Sequence, residues 1–410
     1  MAKYLLLGNG FDLHHRLPTR YIDVLNMFLF LEAETWENIS SVGDILSAYL
    51  KKHQDDTMMQ TFYQNHSEHL QSIKIDNAEI SDTSKKIKSN CWFRYISQSY
   101  KTEMTWVDFE QIIEEVLQVF RRQFELDGKV DRDLPTPKGF SVKRRFFECF
   151  DNIYSFNSNW ARHEYRPKFL VKKAYEEKDS LRIADIVDTL YLSLMQFQNL
   201  LCFYFEYFIN KILPSVPPSS SLEFLSDVNF VLNLNYTTTY EKLYFTNDST
   251  TTITYYHGKA NEKNIVLGVN SSREDEHIDD KAPDTMFIKF KKFYQRIAQE
   301  CDSEYIDFLT KRNYIESMYS ENIHFQKYQQ EHPDELVVLG HSLDVTDADI
   351  IISLFDICPY VSVYYHDKNA FSKYVINLTK IFGRSKFEKM RSCGKIKFVK
   401  LQDYNPKSKE

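Results

Sequence analysis

The feature that most constrains this chain is a short apolar run near its start that ends abruptly in glycine. Tyr4-Leu5-Leu6-Leu7 stops at Gly8-Asn9-Gly10, and Phe11-Asp12-Leu13 follow. An unbroken apolar run of this length reads as a strand buried on both faces, the texture of a parallel sheet. Two glycines one residue apart at its carboxyl end permit a tight turn and a close approach of backbone to a ligand. A helix beginning near Phe11 to Leu13 would turn its free N–H groups toward whatever sits in that turn. The strand is therefore expected to end at a site, and an ordinary strand-to-loop turn is the alternative. The dinucleotide fingerprint is incomplete, because His14-His15-Arg16-Leu17-Pro18 supplies no third glycine.

Such a strand needs partners, and 410 residues suffice for one large domain with insertions or for two to three ordinary ones. The 27 Tyr and 31 Phe can fill a substantial core. Glycine is scarce, at 10 residues, and Gly8, Gly10, Gly258, Gly268 and Gly340 all fall in stretches singled out on other grounds. Glycine is thus expected where the backbone requires it. A net charge of -7 argues against a general nucleic-acid binder and leaves room only for a local basic patch. The six cysteines, at 91, 149, 202, 301, 358 and 393, include no Cys-x-x-Cys pair, so no zinc or redox signature is read. They read as free thiols of a reducing, cytoplasmic compartment, and no signal peptide is expected at the N-terminus.

Tyr21 to Leu31 is predicted helical. From there to about Ser226 helical patterns dominate, including Asp108 to Phe124 and Ile183 to Leu213, the most apolar stretch. Asp185, Asp188, Gln196, Gln198, Asn199 and Glu206 interrupt that stretch, so it falls short of the ~18 apolar residues of a membrane span and reads as a buried central helix. Gln71 to Asn90 and Leu126 to Gly139 read as spacers. Strands are predicted at Val228 to Asn235, Thr251 to Tyr256 and Ile265 to Gly268, then a helix over Thr285 to Arg296 with a solvated basic side. Glu335 to Leu339, a helix from Asp347 to Phe355, Tyr360 to His366, a helix from Phe371 to Phe382, and Lys395 to Leu401 then alternate in the manner of parallel α/β proteins. The expected architecture is an α/β, Rossmann-like parallel sheet with a large, mostly helical insertion. Residues 1–30 and 226–410 form its core, with a helical excursion at about 271–333, and 31–225 form the insertion.

Ligands of open parallel sheets bind beyond the carboxyl ends of the strands. Four stretches lie at such ends. Gly8-Asn9-Gly10-Phe11-Asp12 offers N–H groups, an amide and a carboxylate suited to phosphate or ribose, with helix capping the alternative for Asp12. Asn235, in Asn233-Leu234-Asn235-Tyr236-Thr237, can both donate to and accept from a substrate hydroxyl or a water, or else form a turn. His257, before Gly258, suits proton transfer near neutral pH. Gly340-His341-Ser342-Leu343-Asp344 through Asp347 offers a phosphate contact from Ser342 and a ribose contact from Asp344, while Thr346 and Asp347 also suit a helix cap. Trp106-Val107-Asp108-Phe109-Glu110 places a Trp and two acids at a helix start; dipole pairing explains them, unless that helix folds over the cleft. Lys143-Arg144-Arg145 reads as a solvated face.

Taken together and in this order, Gly8-Asn9-Gly10-Phe11-Asp12-Leu13 with Leu17-Pro18-Thr19, Trp106-Val107-Asp108-Phe109-Glu110, Leu234-Asn235-Tyr236-Thr237, His257-Gly258 with Leu267-Gly268, and Gly340-His341-Ser342-Leu343 with Asp347 resemble the AbiH family of bacteriophage abortive-infection proteins. That family is distantly similar to sirtuin-like domains, which bind NAD in a Rossmann-like sheet. The resemblance implies that Gly8, Asn9, Gly10 and Phe11 belong to a cofactor loop, with Gly340, His341, Ser342, Asp344 and Asp347 near the adenosine ribose and phosphates. Asn235 would sit at the nicotinamide end and His257 would be the catalytic histidine. Two departures matter. The sirtuin Asn-x-Asp is Asn235-Tyr236-Thr237 here, without its carboxylate, and the four zinc cysteines have no counterpart.

The resemblance implies an anti-phage protein that hydrolyses NAD at the nicotinamide–ribose bond. Asn235 and His257 would act on water or ribose, and Asp12, Asp108 or Glu110 would stabilise positive charge. NAD is then substrate or ligand and no metal is expected. A phage trigger or self-association is expected as partner, and a membrane is not. Two alternatives stay open: a non-catalytic sensor of a nucleotide or NAD derivative that binds a partner, and a metal-dependent nuclease.

Overall fold

The computed structural model describes residues 2–99, 105–125, 149–150, 154–156, 165–167, 183–245, 251–270, 285–301, 303–319, 322–324, 327, 331 and 333–403. Six strands build one sheet: β1 (Lys3–Leu7), β2 (Phe230–Asn233), β3 (Thr252–Tyr255), β4 (Glu335–Leu339), β5 (Tyr360–Tyr365) and β6 (Ile396–Lys400). Every pairing is parallel, and the order across the sheet is β3-β2-β1-β4-β5-β6. The chain thus starts in mid-sheet and grows outward on both sides, which is the doubly wound, Rossmann-like arrangement. The apolar run of β1 is explained by this position. Tyr4 and Leu6 pack with Phe230, Leu232, Leu336 and Val338 on one face, while Leu5 and Leu7 pack with Val231, Val337 and Leu339 on the other.

The helices, in chain order, are α1 (Gly10–His14), α2 (Tyr21–Ala33), α3 (Val42–Lys52), α4 (Thr57–Ser72), α5 (Asn77–Ser89), α6 (Cys91–Ser99), α7 (Trp106–Glu125), α8 (Ile183–Tyr204), α9 (Thr239–Leu243), α10 (Lys292–Ala298), α11 (Ser303–Tyr319), α12 (Ala348–Ile357), α13 (Lys368–Phe382) and α14 (Arg384–Ser392). A separate aromatic-rich core joins α2 through α8 to the segment between Ala260 and Phe290. No helix among the described residues is long and apolar enough to cross a membrane.

Several local expectations change. Gln71 to Asn90 is not a spacer: α5 occupies most of it, capped by the Asp76 carboxylate on Glu79 N–H and held by buried Ile80, Thr83 and Ile87. Its three inward residues recur at helical spacing, but the surrounding charge hides them. The long helix from Ile183 changes pitch, since Phe205–Ile209 is a π turn and Asn210–Ser215 is 3-10. Ile265 to Gly268 is buried and extended but joins no sheet, because Gln295 takes both its Leu267 N–H and C=O. The helix predicted over Thr285 to Arg296 is a 3-10 turn, Ile288–Phe290, followed by α10. Its basic side is only half solvated: Lys292 and Arg296 are buried, Lys289 and Lys291 are partly exposed, and Phe293 is exposed. Leu126 to Gly139 and Lys143-Arg144-Arg145 lie outside the described residues.

Candidate functional site

The turns after β1 and β4 meet backbone to backbone. Gly8 N–H donates to Leu339 C=O, Gly10 N–H to Gly340 C=O and Phe11 N–H to Gly8 C=O. A Cβ at Gly8 would lie 2.5 Å from His341 Cα, and one at Gly340 would lie 2.2 Å from Phe11 N at a φ of +71°. These glycines therefore serve the contact between two strand-end turns. The N–H groups of the expected phosphate cradle are largely spent: two donate across that contact, and that of Phe11 donates within its own turn. The turn is held further by Leu343, at φ 54°, whose N–H donates to His341 Nδ1 at 3.0 Å. That bond fixes the tautomer: the His341 proton sits on Nε2, 3.3 Å from Asp347 Oδ2.

Beside this junction lies a cleft of about 280 Å³ at the carboxyl ends of the strands. Gly8, Asn9 and Asp12 reach it from β1, and Asn235 and Thr237 from β2. His257 follows β3, and Gly340, His341, Ser342, Asp344 and Asp347 follow β4. Glu110 enters from α7, so the helix start singled out in the sequence does fold over the cleft. Gly10 and Phe11 are not in its wall; Phe11 is packed in the core beneath the sheet. Asp108 is outside it as well, accepting from Thr105 N–H and Oγ1 at the start of α7.

The electrostatic centre is one the sequence reading missed. Lys292, 1% exposed, places Nζ 2.8 Å from Glu110 Oε1 and 3.1 Å from Asp347 Oδ1. His257 Nε2 stands 3.5 Å from the same Asp347 oxygen. Asp347 occupies the position before α12 but makes no capping hydrogen bond; its side chain turns instead to these groups. Burial by itself would raise the Asp347 carboxyl, but the Lys292 ammonium, the His341 hydrogen bond and the His257 imidazole 3.5 Å away hold it well below the usual carboxylate range. Burial lifts Glu110 to about 7 against the pull of Lys292. Burial also keeps His257 neutral, since it lowers that imidazole below its ordinary value. Nothing in the pattern around Lys292 marks it: the interleaved Phe and Lys suggested a solvated face, and only packing reveals which side is inward.

At the β1–β2 side, Asn235 Nδ2 donates to Gly8 C=O at 3.1 Å, and Asn235 N–H donates to Asn233 Oδ1 at 2.9 Å. Thr237 Oγ1 donates to Asp12 Oδ2 at 2.6 Å. Asp12 Oδ1 is buried with no hydrogen-bond partner among the described residues, and so is Glu110 Oε2. Burial raises Asp12 to about 6, opposed by the hydroxyls of Thr237 and Thr239. Asp344 accepts from Thr346 N–H at 3.2 Å, and Asn377 of α13 donates to Ser342 C=O at 3.0 Å. Exposed Lys373, also of α13, stands at the cleft wall. Among the described residues, no three His, Cys, Asp or Glu side chains are grouped to hold a metal ion.

The motifs that build this cleft span most of the chain, and a family model described as "Bacteriophage abortive infection AbiH" matches residues 4–358. The chain belongs to the AbiH family. Membership gives it an anti-phage, abortive-infection role. No curated protein and no solved structure matches it. The AbiH match takes in β1 to β4, the helical layer and α12, and so every residue placed at the cleft above except Lys373 and Asn377.

Proposed function

We propose that this AbiH cleft hydrolyses NAD at the nicotinamide–ribose bond, and that the resulting loss of cofactor is how the chain acts in abortive infection. The observation that supports the reading best is the convergence of Asn235, His257, Asp12 and Glu110 on one cleft, with two buried carboxylate oxygens left unmet. Buried acceptors without donors ask for a ligand that brings donors, such as ribose hydroxyls or a carboxamide. The acid missing from Asn235-Tyr236-Thr237 has a substitute: Thr237 holds Asp12 at 2.6 Å, bringing a carboxylate to the same turn from the end of β1.

In the proposed step the ribose C1′–N bond breaks and the electron pair leaves with nicotinamide, which departs neutral and needs no general acid. The oxocarbenium-like ribose is stabilised by the Asp12 and Glu110 carboxylates. Water, positioned by Asn235, attacks C1′, and its proton passes to neutral His257. Asp347, tied to Lys292, holds the imidazole. The resting protein is kept inactive by self-association or by the lack of a phage trigger.

The test is nicotinamide release from NAD by purified wild type, Asn235→Ala and His257→Ala, with plasmid nicking measured in parallel with and without divalent metal. Release that both variants lose supports hydrolysis. NAD binding without release in the presence of phage lysate points to a sensor, and metal-dependent nicking to a nuclease; either would overturn the proposal.

A further inference from the structure

Three aromatic rings border the cleft on the side of the helical layer. Trp106, at the start of α7, and Phe205, in the π turn after α8, have ring centroids 6.0 Å apart. Tyr236, in the turn after β2, lies 6.0 Å from Trp106 and 5.5 Å from Phe205. All three line the cleft. The polar ends of two are tied off elsewhere: Trp106 Nε1 donates to Thr19 C=O at 3.2 Å and Tyr236 Oη to Val266 C=O at 3.0 Å. What Trp106 and Tyr236 keep for a ligand is ring surface, while Phe205, 2% exposed, packs behind them. The π turn that carries Phe205 interrupts an otherwise regular helix, and such turns frequently mark functional sites. Glu110 lies four residues after Trp106 on α7, hence on the same helix face, and its unpartnered Oε2 is an acceptor beside the rings.

The geometry points to a base subsite here: Trp106 and Tyr236, backed by buried Phe205, receive the face of a planar heteroaromatic ring, and Glu110 Oε2 accepts an N–H from an amide or amine on that ring. This deepens the hydrolase reading and rests on it for the choice of nicotinamide as the base. A carboxylate in place of the carboxamide offers no donor and meets Glu110 with like charge, so the subsite selects nicotinamide over nicotinate. Stacking supplies the ring affinity and Glu110 the discrimination.

Calorimetric titration of the full chain with nicotinamide, nicotinate and adenosine monophosphate tests this. Saturable nicotinamide binding is expected, at least tenfold tighter than nicotinate at pH 8. Trp106→Leu should weaken nicotinamide at least fivefold and leave adenosine monophosphate unchanged. Trp106→Phe should restore most of the loss, and thermal melting confirms that each variant is folded. Tyr236→Leu is the second variant if Trp106→Leu fails to fold. Glu110→Gln should narrow the nicotinamide–nicotinate ratio without abolishing nicotinamide binding. Absent nicotinamide binding, or binding indifferent to the ring substitutions, overturns the subsite. Base binding that follows these rules supports it even if no NAD is cleaved, in which case hydrolysis alone falls.

Discussion

Replacing Lys292 with Met removes the cation from between two buried carboxylates. Lys292 and Met have similar lengths, so the main change is electrostatic. Glu110 and Asp347, 2.8 and 3.1 Å from the lost ammonium, then face each other in a largely buried site. Breaking a buried ion pair by removing one partner costs about 3 to 5 kcal/mol. With about 2.1 cal/mol/K of unfolding entropy per residue, 410 residues unfolding together lose about 1 °C per kcal/mol, so melting near pH 8 should fall by roughly 4 to 6 °C. The loss depends on pH in a definite direction. Glu110 has a folded-state pKa raised to about 7 even beside Lys292. Its stabilising contribution is complete below the unfolded carboxyl value and disappears as pH rises through about 7. Without the ammonium that value climbs further, so the Glu110 share of the loss is felt above pH 7 and is absent near pH 5.5, where Glu110 is neutral, while the share carried by ionised Asp347 remains at both pH values. Adding Glu110→Gln should recover the Glu110 share of the loss at pH 8. Thermal melts of the wild type, Lys292→Met and the double variant at the two pH values decide it. A gap that is the same at both, or single effects that simply add, would refute the idea that Lys292 acts as the shared counter-charge.

Asp12→Asn should stabilise the fold while abolishing nicotinamide release. Asp12 is raised from 3.8 to about 6 by burial, two units worth about 3 kcal/mol, and that stability is lost as pH rises from about 4 through 6. Denaturant midpoints at pH 5 and 7.5 should therefore converge in the variant and separate in wild type. If the ionised forms of Asp12 and Glu110 stabilise the transition state, the rate of nicotinamide release should rise with pH through about 6 to 7, and Glu110→Gln should remove the upper part of that limb in a stopped assay. Gly340→Ala places a methyl 2.2 Å from Phe11 N at a φ natural only to glycine, and melting should show a loss of at least about 2 kcal/mol; a neutral effect would mean that the two turns are not tightly joined.

The local chemistry of the chain settled more than its packing did. Four strand-end stretches were legible because each pairs an apolar run with glycine, asparagine or histidine, and a parallel sheet delivers such ends to one edge whatever lies between them. The apolar run of β1 marks a strand covered on both faces, while its place between β2 and β4 is seen only in the sheet order. What tertiary structure alone decided was which way side chains face. Lys292 looks no different in sequence from Lys289 or Lys291, yet it is enclosed because the extended Val266 to Val269 segment and α7 close over it. Gly10 and Phe11 read as ligand contacts and became the joint with Gly340 and the core beneath it, because the same permissive backbone serves a neighbouring turn as well as a ligand. Asp12 reads as a cap from its neighbours in sequence. Its bond to Thr237, 225 positions away, exists only because β1 and β2 lie side by side, and no local pattern encodes a contact of that separation.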